Sequence, residues 1–370
     1  MESQFEALDK TKWGALRDPV TMWLLLVALF VVVMVIVGGY TRLSRAGLSI
    51  VEWDVVTGIL PPIGQEAWEE SFELYQQTPE YQLVNTGMTV SAYKQIFYIE
   101  WSHRLIGRIA GMLVVIPLLW FMWRRIVTPR ESIGYWLVAA GFGIQGAIGW
   151  VMVSSGLQDR PAVSEFRLTI HLLAALTLLG IVLWMALDRI EAARARSAYR
   201  SSRSIRVLSW AVFATVIVQI AYGGLVAGLK AGHLSNTWPH MFGYLIPGGM
   251  LATADSAFLS LFEPLASHWI HRWFAFVVAA LAVAMFVVVR RRAKSDHRLE
   301  PLTMWLLVVI GTQISLGVTV ILLGVPKYFA LLHQVVGITV FCISLLIAHA
   351  VESRSRSDRD ISGPVRASIQ

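Results

Sequence analysis

Eight long apolar segments govern what this chain can fold into. They run roughly Pro19–Gly39, His103–Trp123, Ile133–Ser154, Arg167–Leu187, Ile205–Gly228, Ile270–Val289, Leu302–Gly324 and Tyr328–Ala350. Each is long enough to cross about 30 Å of hydrocarbon. Inside a bilayer the backbone must satisfy its own hydrogen bonds, so each segment is expected to be a helix. Of the 370 residues, 56% are hydrophobic and only 15% charged. A soluble domain would be about a quarter charged. The expected fold class is an all-α integral membrane protein with eight transmembrane helices.

The net charge of +7 does not point to nucleic acid, because of where the basic residues sit. They gather in the N-terminal tail (Lys10, Lys12, Arg17), in alternate loops at 124–130, 189–206 and 290–298, and in the C-terminal tail at 354–366. The positive-inside rule puts these regions, and so both termini, in the cytoplasm. The other loops then face outward, and the first of them, 40–102, is rich in carboxylates, among them Glu66, Glu69, Glu73 and Glu80. Glu2, Glu6, Asp9 and Asp18 argue against a presequence or a cleaved signal. The first helix is then an uncleaved insertion signal, and the expected location is a bacterial plasma (inner) membrane. The single cysteine, Cys342, excludes an internal disulfide and reads as a small apolar core residue.

An internal repeat organises the chain. Gly39-Tyr-Thr-Arg-Leu-Ser-Arg45-Ala46-Gly47 after the first segment aligns with Gly224-Leu-Val-Ala-Gly-Leu-Lys230-Ala231-Gly232 after the fifth, at an offset of 185 residues that Trp53 and Trp238 also obey. From the second segment onward the offset is 168, pairing His103 with His271, Arg104 with Arg272 and Gln145 with Gln313. Each half has four helices, an even number, so the halves share one orientation. Two parallel-orientation four-helix bundles are expected. An N-terminal bundle at 20–187 and a C-terminal bundle at 206–350 are joined by a basic cytoplasmic linker at 188–205, with cytoplasmic tails at 1–19 and 351–370.

A histidine inside a membrane segment is costly without a partner and is a functional candidate. His103, His171, His271 and His333 all fall at or near the outer starts of their segments, in pairs that the repeat relates. Facing helices of a bundle can aim two imidazoles at one iron, and histidine is a usual axial haem ligand. The pattern suggests two bis-histidine haem sites, one per half. The bland reading is four hydrogen-bonded anchors at helix ends. His233, His240, His268, His297 and His349 read as surface or interfacial residues. Gln145 and Gln313 suit interhelical hydrogen bonds. The glycines Gly38, Gly39, Gly141, Gly143, Gly146, Gly223 and Gly224 suit close helix approach.

The halves differ beside the first histidine of each. Glu100, three residues before His103, is replaced by His268, and Arg108 by Phe276. Residues three apart share a helix face, so the Glu100 carboxylate can approach whatever His103 faces. There it could take up a proton or stabilise developing charge. It could equally be an acid placed at a helix N-terminus. Arg104, Arg108 and Arg272 fit haem propionates as bidentate donors, or headgroup anchors. On this asymmetry the first half is the reacting site and the second a fixed electron-transfer site.

Several segments together resemble the haem A synthase family. They are GGYTRLSRAGLSIVEWDVVTGILPP (Gly38–Pro62), YQQTPEY (Tyr75–Tyr81), IFYIEWSHRLIGR (Ile96–Arg108), FRLTIHL (Phe166–Leu172), NTWP (Asn236–Pro239) and VPKYFALLHQ (Val325–Gln334). The resemblance implies oxidation of a methyl group of haem O, through an alcohol and a gem-diol, to the formyl group of haem A for cytochrome oxidase. It implies His103 and His171 around the substrate, His271 and His333 on a haem b cofactor, and Glu100 as the catalytic carboxylate. It also implies haem O synthase and cytochrome oxidase assembly as partners, an unidentified electron acceptor or donor, and homo-oligomers. Absence of outer-loop cysteine pairs places the resemblance with the branch typical of proteobacteria and mitochondria. Two other readings use the same features. A non-catalytic dihaem b-type cytochrome exchanging electrons with quinone would need the four histidines but not Glu100. A two-repeat transporter would carry no haem.

Overall fold

A computed structural model describes residues 17–54, 57–158, 160–192, 202–292 and 298–362, with side chains in the last stretch as far as 353. The sequence features at Glu2, Glu6, Asp9, Lys10, Lys12, Arg194, Arg196, Arg200, Lys294, His297 and Arg366 lie outside the described residues, and those at Arg354, Arg356 and Arg359 outside the described side chains.

Among the described residues, eight helices are long and apolar enough to cross a membrane. They are α1 (Pro19–Leu43), α4 (Val90–Trp123), α5 (Pro129–Ser154), α6 (Glu165–Ala192), α7 (Arg203–Gly228), α9 (Pro264–Arg292), α10 (Leu299–Leu322) and α11 (Lys327–Ser362). Between them lie α2 (Gln65–Gln76), α3 (Pro79–Leu83) and the single turn α8 (Ala257–Ser260). Among the described residues there is no β-strand. Local chemistry sets several starts. Asp18 caps α1 by accepting from the Thr21 N–H at 2.9 Å, with proline next in line, and Thr128 before Pro129 does the same for α5. After α1 the chain turns through a left-handed residue, Arg45 (φ 50°), and after α7 through Lys230 (φ 54°), 185 positions later.

Each helix meets consecutive neighbours. α1 packs on α4 and α6, and α5 lies between α4 and α6, closing a ring of four. α7 packs on α9 and α11, with α10 between those two, closing a second ring. The rings meet where α6 touches α7 and where α11 touches α1 and α6. The core is a continuous apolar cluster including Trp23, Leu118, Leu179, Val212, Met285, Leu306 and Phe341.

The outer region departs from expectation. The loop expected at 40–102 contains α2, α3 and the first thirteen residues of α4, which starts at Val90 and not at His103. α9 likewise starts at Pro264, ahead of Ile270. Hydropathy misses these turns because they are apolar on one side only. On α4 that side carries Tyr93 and Phe97, buried against Trp68, Phe72 and Tyr75. Tyr75 stacks on Tyr93 at 5.2 Å, and Trp68 meets Phe97 edge-on at 4.9 Å. Such pairs add about 0.5–1.5 kcal/mol each beyond area burial. The result is an aromatic cap over the outer end of α4. Glu80 is buried within it and takes a hydrogen bond from the Tyr75 hydroxyl at 3.3 Å. Burial pushes its carboxyl up to about 7.

At the opposite end Arg189 of α6 donates to Asp18 (3.0 Å) and to Glu131 of α5 (2.6 Å), tying three helix ends together. His349, expected at an interface with water, is instead 4% exposed; it contacts Asp188 at 2.8 Å and the Trp184 ring. A half-exposed carboxylate within reach offsets the cost of burying that imidazole.

Candidate haem-binding sites

Each of the four histidines lies against a glycine on the preceding spanning helix. A Cβ added to Gly38 would come within 3.0 Å of Cε1 of His103, and the same holds for Gly149 and His171, Gly223 and His271, and Gly317 and His333. Any side chain there would make the imidazole give by a few tenths of an ångström, so glycine suits the seat. The four seats repeat one hairpin arrangement: α1 to α4, α5 to α6, α7 to α9 and α10 to α11.

Three of the hairpins add a glutamine four residues before the glycine. Gln145 Nε2 lies 3.2 Å from His171 Nδ1 and donates to the His171 carbonyl at 3.0 Å. Gln219 Nε2 lies 3.2 Å from His271 Nδ1 and donates to the His271 carbonyl at 2.9 Å. Gln313 Nε2 lies 3.2 Å from His333 Nε2. His271 Nδ1 also lies 3.2 Å from the Gln219 carbonyl oxygen, and a proton there would leave Nε2 free as a ligand. The interhelical role expected of Gln145 and Gln313 is found. Gln219 is a contact of His271 that the sequence reading misses, although the Gln-x-x-x-Gly spacing of all three is visible there.

The donor set fits haem. The His271 and His333 rings are 6.3 Å apart between centroids and cross at 81°. Two metal–imidazole bonds of about 2 Å each, plus the half-widths of two rings, span a comparable length. The Oε1 atoms of Gln145, Gln219 and Gln313 are all buried without a partner. When a ring's Nε2 holds iron, its Nδ1 carries hydrogen and needs an acceptor; for His171 and His271 a half-turn of the amide supplies one, whereas Gln313 meets His333 at Nε2. His103 lies within electrostatic reach of His171.

The residues flanking the first histidine of each half form one frame with one exchange in it. Arg104 donates to the carbonyls of Glu52 (2.8 Å) and Ile50 (2.8 Å) and from Nε to Glu100 (3.0 Å). Arg272 donates to the carbonyls of Thr237 (2.8 Å) and Ser235 (2.9 Å) and from Nε to His268 (3.0 Å). Each guanidinium also covers a tryptophan, Trp53 or Trp238. These arginines therefore clamp outer-loop backbone to their helices. Glu100 is 2% exposed, and its second oxygen accepts from the Ser49 hydroxyl (2.9 Å) and the Ile50 N–H (3.0 Å). His268, expected on the surface, is 1% exposed because it is the partner of Arg272. Arg108 donates to the Asp54 carbonyl at 2.6 Å. Among the glycines, Gly39, Gly141 and Gly224 do lie close to neighbouring helices, whereas a methyl placed on Gly143 or Gly146 would meet nothing within 4 Å.

Fold and site together define a polytopic helical membrane protein with half-buried imidazoles seated on glycines. Known proteins narrow this further. The family described as "Cytochrome oxidase assembly protein" matches residues 21–345. A Sphingopyxis alaskensis protein named Heme A synthase is 40% identical over 334 residues, 90% of this chain and 92% of its own length. Proteins of the same name from Rhodopseudomonas palustris and a Bradyrhizobium species are 41% identical over 330 residues and 40% over 343, again covering about nine-tenths of each chain. The chain belongs to the cytochrome oxidase assembly protein family.

Proposed function

We propose that this protein is an enzyme that oxidises the methyl group of haem O to the formyl group of haem A. The observation that carries the reading is the single exchange in the repeated arginine frame. Arg104 meets a carboxylate, Glu100, where Arg272 meets an imidazole, His268. A protein built only to hold two haems has no need of that difference. Relatives about 40% identical carry the corresponding name.

On this reading the N-terminal bundle, 20–187, binds haem O between His103 and His171. The C-terminal bundle, 206–350, holds haem b between His271 and His333. When bound, that haem supplies a one-electron relay between the substrate site and an external acceptor or donor. The chain's own residues do the rest. Gln145 orients the His171 ring. Glu100, one turn from His103, is held at a fixed position by Ser49, Ile50 and Arg104. From there its carboxylate accepts a proton as water supplies oxygen and two electrons leave to the external acceptor, giving the alcohol and, in a second such step, the gem-diol, which loses water. Arg108 serves the propionate edge, and Arg104 and Arg272 keep the outer loops shut over the rings. The setting is a bacterial plasma membrane with cytoplasmic termini, haem O synthase upstream and cytochrome oxidase assembly downstream, in a homo-oligomer.

The test is the reduced-minus-oxidised visible spectrum of the purified protein, with its haems extracted and separated by chromatography. Haem b together with haem O or haem A is the expected result. Haem b alone would favour a dihaem cytochrome, and no haem at all would overturn the reading.

A further inference from the structure

The four histidine hairpins share a seat glycine, and three of them share a glutamine. Four residues before the seat glycine stand Gln145, Gln219 and Gln313, each touching its imidazole. Before Gly38 the same position holds Met34. Its methyl points into the α1–α4 seam, where a Cβ on Gly107, one turn beyond His103, would lie 3.4 Å from Met34 Cε. A thioether donates nothing and accepts weakly. It cannot clip the His103 ring, nor the His103 main chain as Gln145 and Gln219 do for theirs. His103 Nδ1 is buried with no hydrogen-bond partner, as is His333 Nδ1, but the His333 ring still meets Gln313 at Nε2, whereas no glutamine reaches the His103 ring.

We propose that Met34 is a positioning residue that keeps His103 untethered, making it the one imidazole of the four that can let go of iron. This rests on the reading of the first bundle as the substrate site. A cofactor must stay, so both of its imidazoles are held by glutamine. A substrate must enter and leave as product, so one side of its iron needs a ligand that swings away. His171, tethered by Gln145, is the fixed side, and His103 is the gate. The seat glycine alone sets where the ring lies; the glutamine sets how firmly it stays.

Ligand lability is read without turnover, by carbon monoxide binding to the dithionite-reduced, purified full-length protein in detergent. Six-coordinate haem binds carbon monoxide only when a histidine departs. In the wild type the haem of the first site reacts and the haem of the second does not. Met34→Gln, which nearly conserves volume, is expected to lower the carbon-monoxide-reactive fraction several-fold while total haem and the reduced spectrum are kept. Met34→Leu, which adds no tether, keeps the wild-type fraction. Gln219→Met is expected to make the second haem reactive. An unchanged reactive fraction in Met34→Gln, or an equal loss in Met34→Leu, would overturn the proposal while leaving the haem assignment standing. Absence of haem from the wild type would overturn both.

Discussion

Arg42 of α1 donates a hydrogen bond to the main-chain carbonyl of Ala227 in α7, the residue 185 positions further on. That spacing is the repeat offset itself, so Arg42 reaches across the junction of the two rings to its own counterpart. Ala227 lies in the last turn of α7, where carbonyls have no partner within the helix. One half-buried cation therefore adds to the backbone cap that Lys230 N–H already makes on this carbonyl, and it joins the halves. Hydrogen bonds from charged groups are worth about 1.5–3 kcal/mol. Arg42→Ala is expected to lower the thermal midpoint in detergent by several degrees without loss of haem, and an unchanged midpoint would refute the bridging role.

Glu100→Ala is expected to leave haem content largely intact and to stop formation of haem A, as measured by chromatography of extracted haems from cells supplied with haem O. Glu100→Gln should keep the contacts to Ile50 and Ser49 better than alanine and still fail to accept a proton. Normal conversion by either variant would remove Glu100 from the chemistry.

His271→Ala and His333→Ala are each expected to abolish the b-type spectrum, because the 6.3 Å ring pair loses one side. A retained α-band would mean that the iron is held elsewhere.

The glycine seats allow a sharper test. Gly223→Ala places a methyl 3.0 Å from His271 Cε1, so the ring must shift, and haem content in the second site should fall several-fold. Gly143→Ala, on an open helix face, should change nothing. Equal effects from the two substitutions would show that the seats do not matter.

Glu80 should give the cap a pH-dependent stability. Its carboxyl is raised by burial from 4.5 to about 7, with Tyr75, Glu100, Arg45 and Lys230 as the facing groups. The folded protein therefore holds the proton more tightly than the unfolded chain. The protonated form's contribution is full below pH 4.5 and is lost as pH rises through 7. Glu80→Gln should raise the thermal midpoint relative to wild type more at pH 8 than at pH 5. A difference independent of pH would count against a buried, protonatable Glu80.

Spans and the four histidines are legible in the sequence because burial in lipid leaves long apolar runs and makes ring nitrogens conspicuous there. The outer turns of α4 are not, since Ser91, Lys94, Gln95 and Glu100 interrupt the apolar run and Tyr93 and Phe97 are buried by a cap that hydropathy does not register. His268 and His349 read as surface residues because their partners, Arg272 and Asp188, are supplied by packing; Asp188 stands 161 positions from His349. Met34 is invisible on its own: an apolar residue in an apolar helix has meaning only beside three glutamines at the same place in sister hairpins.

The rings are each built from helices that follow one another along the chain, α1 to α6 and then α7 to α11. Synthesis therefore delivers every wall of the first ring before any wall of the second. By the time Ala192 has left the ribosome, the Gly38 and Gly149 seats and both of their imidazoles are in the membrane, and domains generally fold as units in order of emergence. The contacts of α11 with α1 and α6 come last. Assembly of this protein then reads as two closures in time, with the second locking onto a first that is already complete.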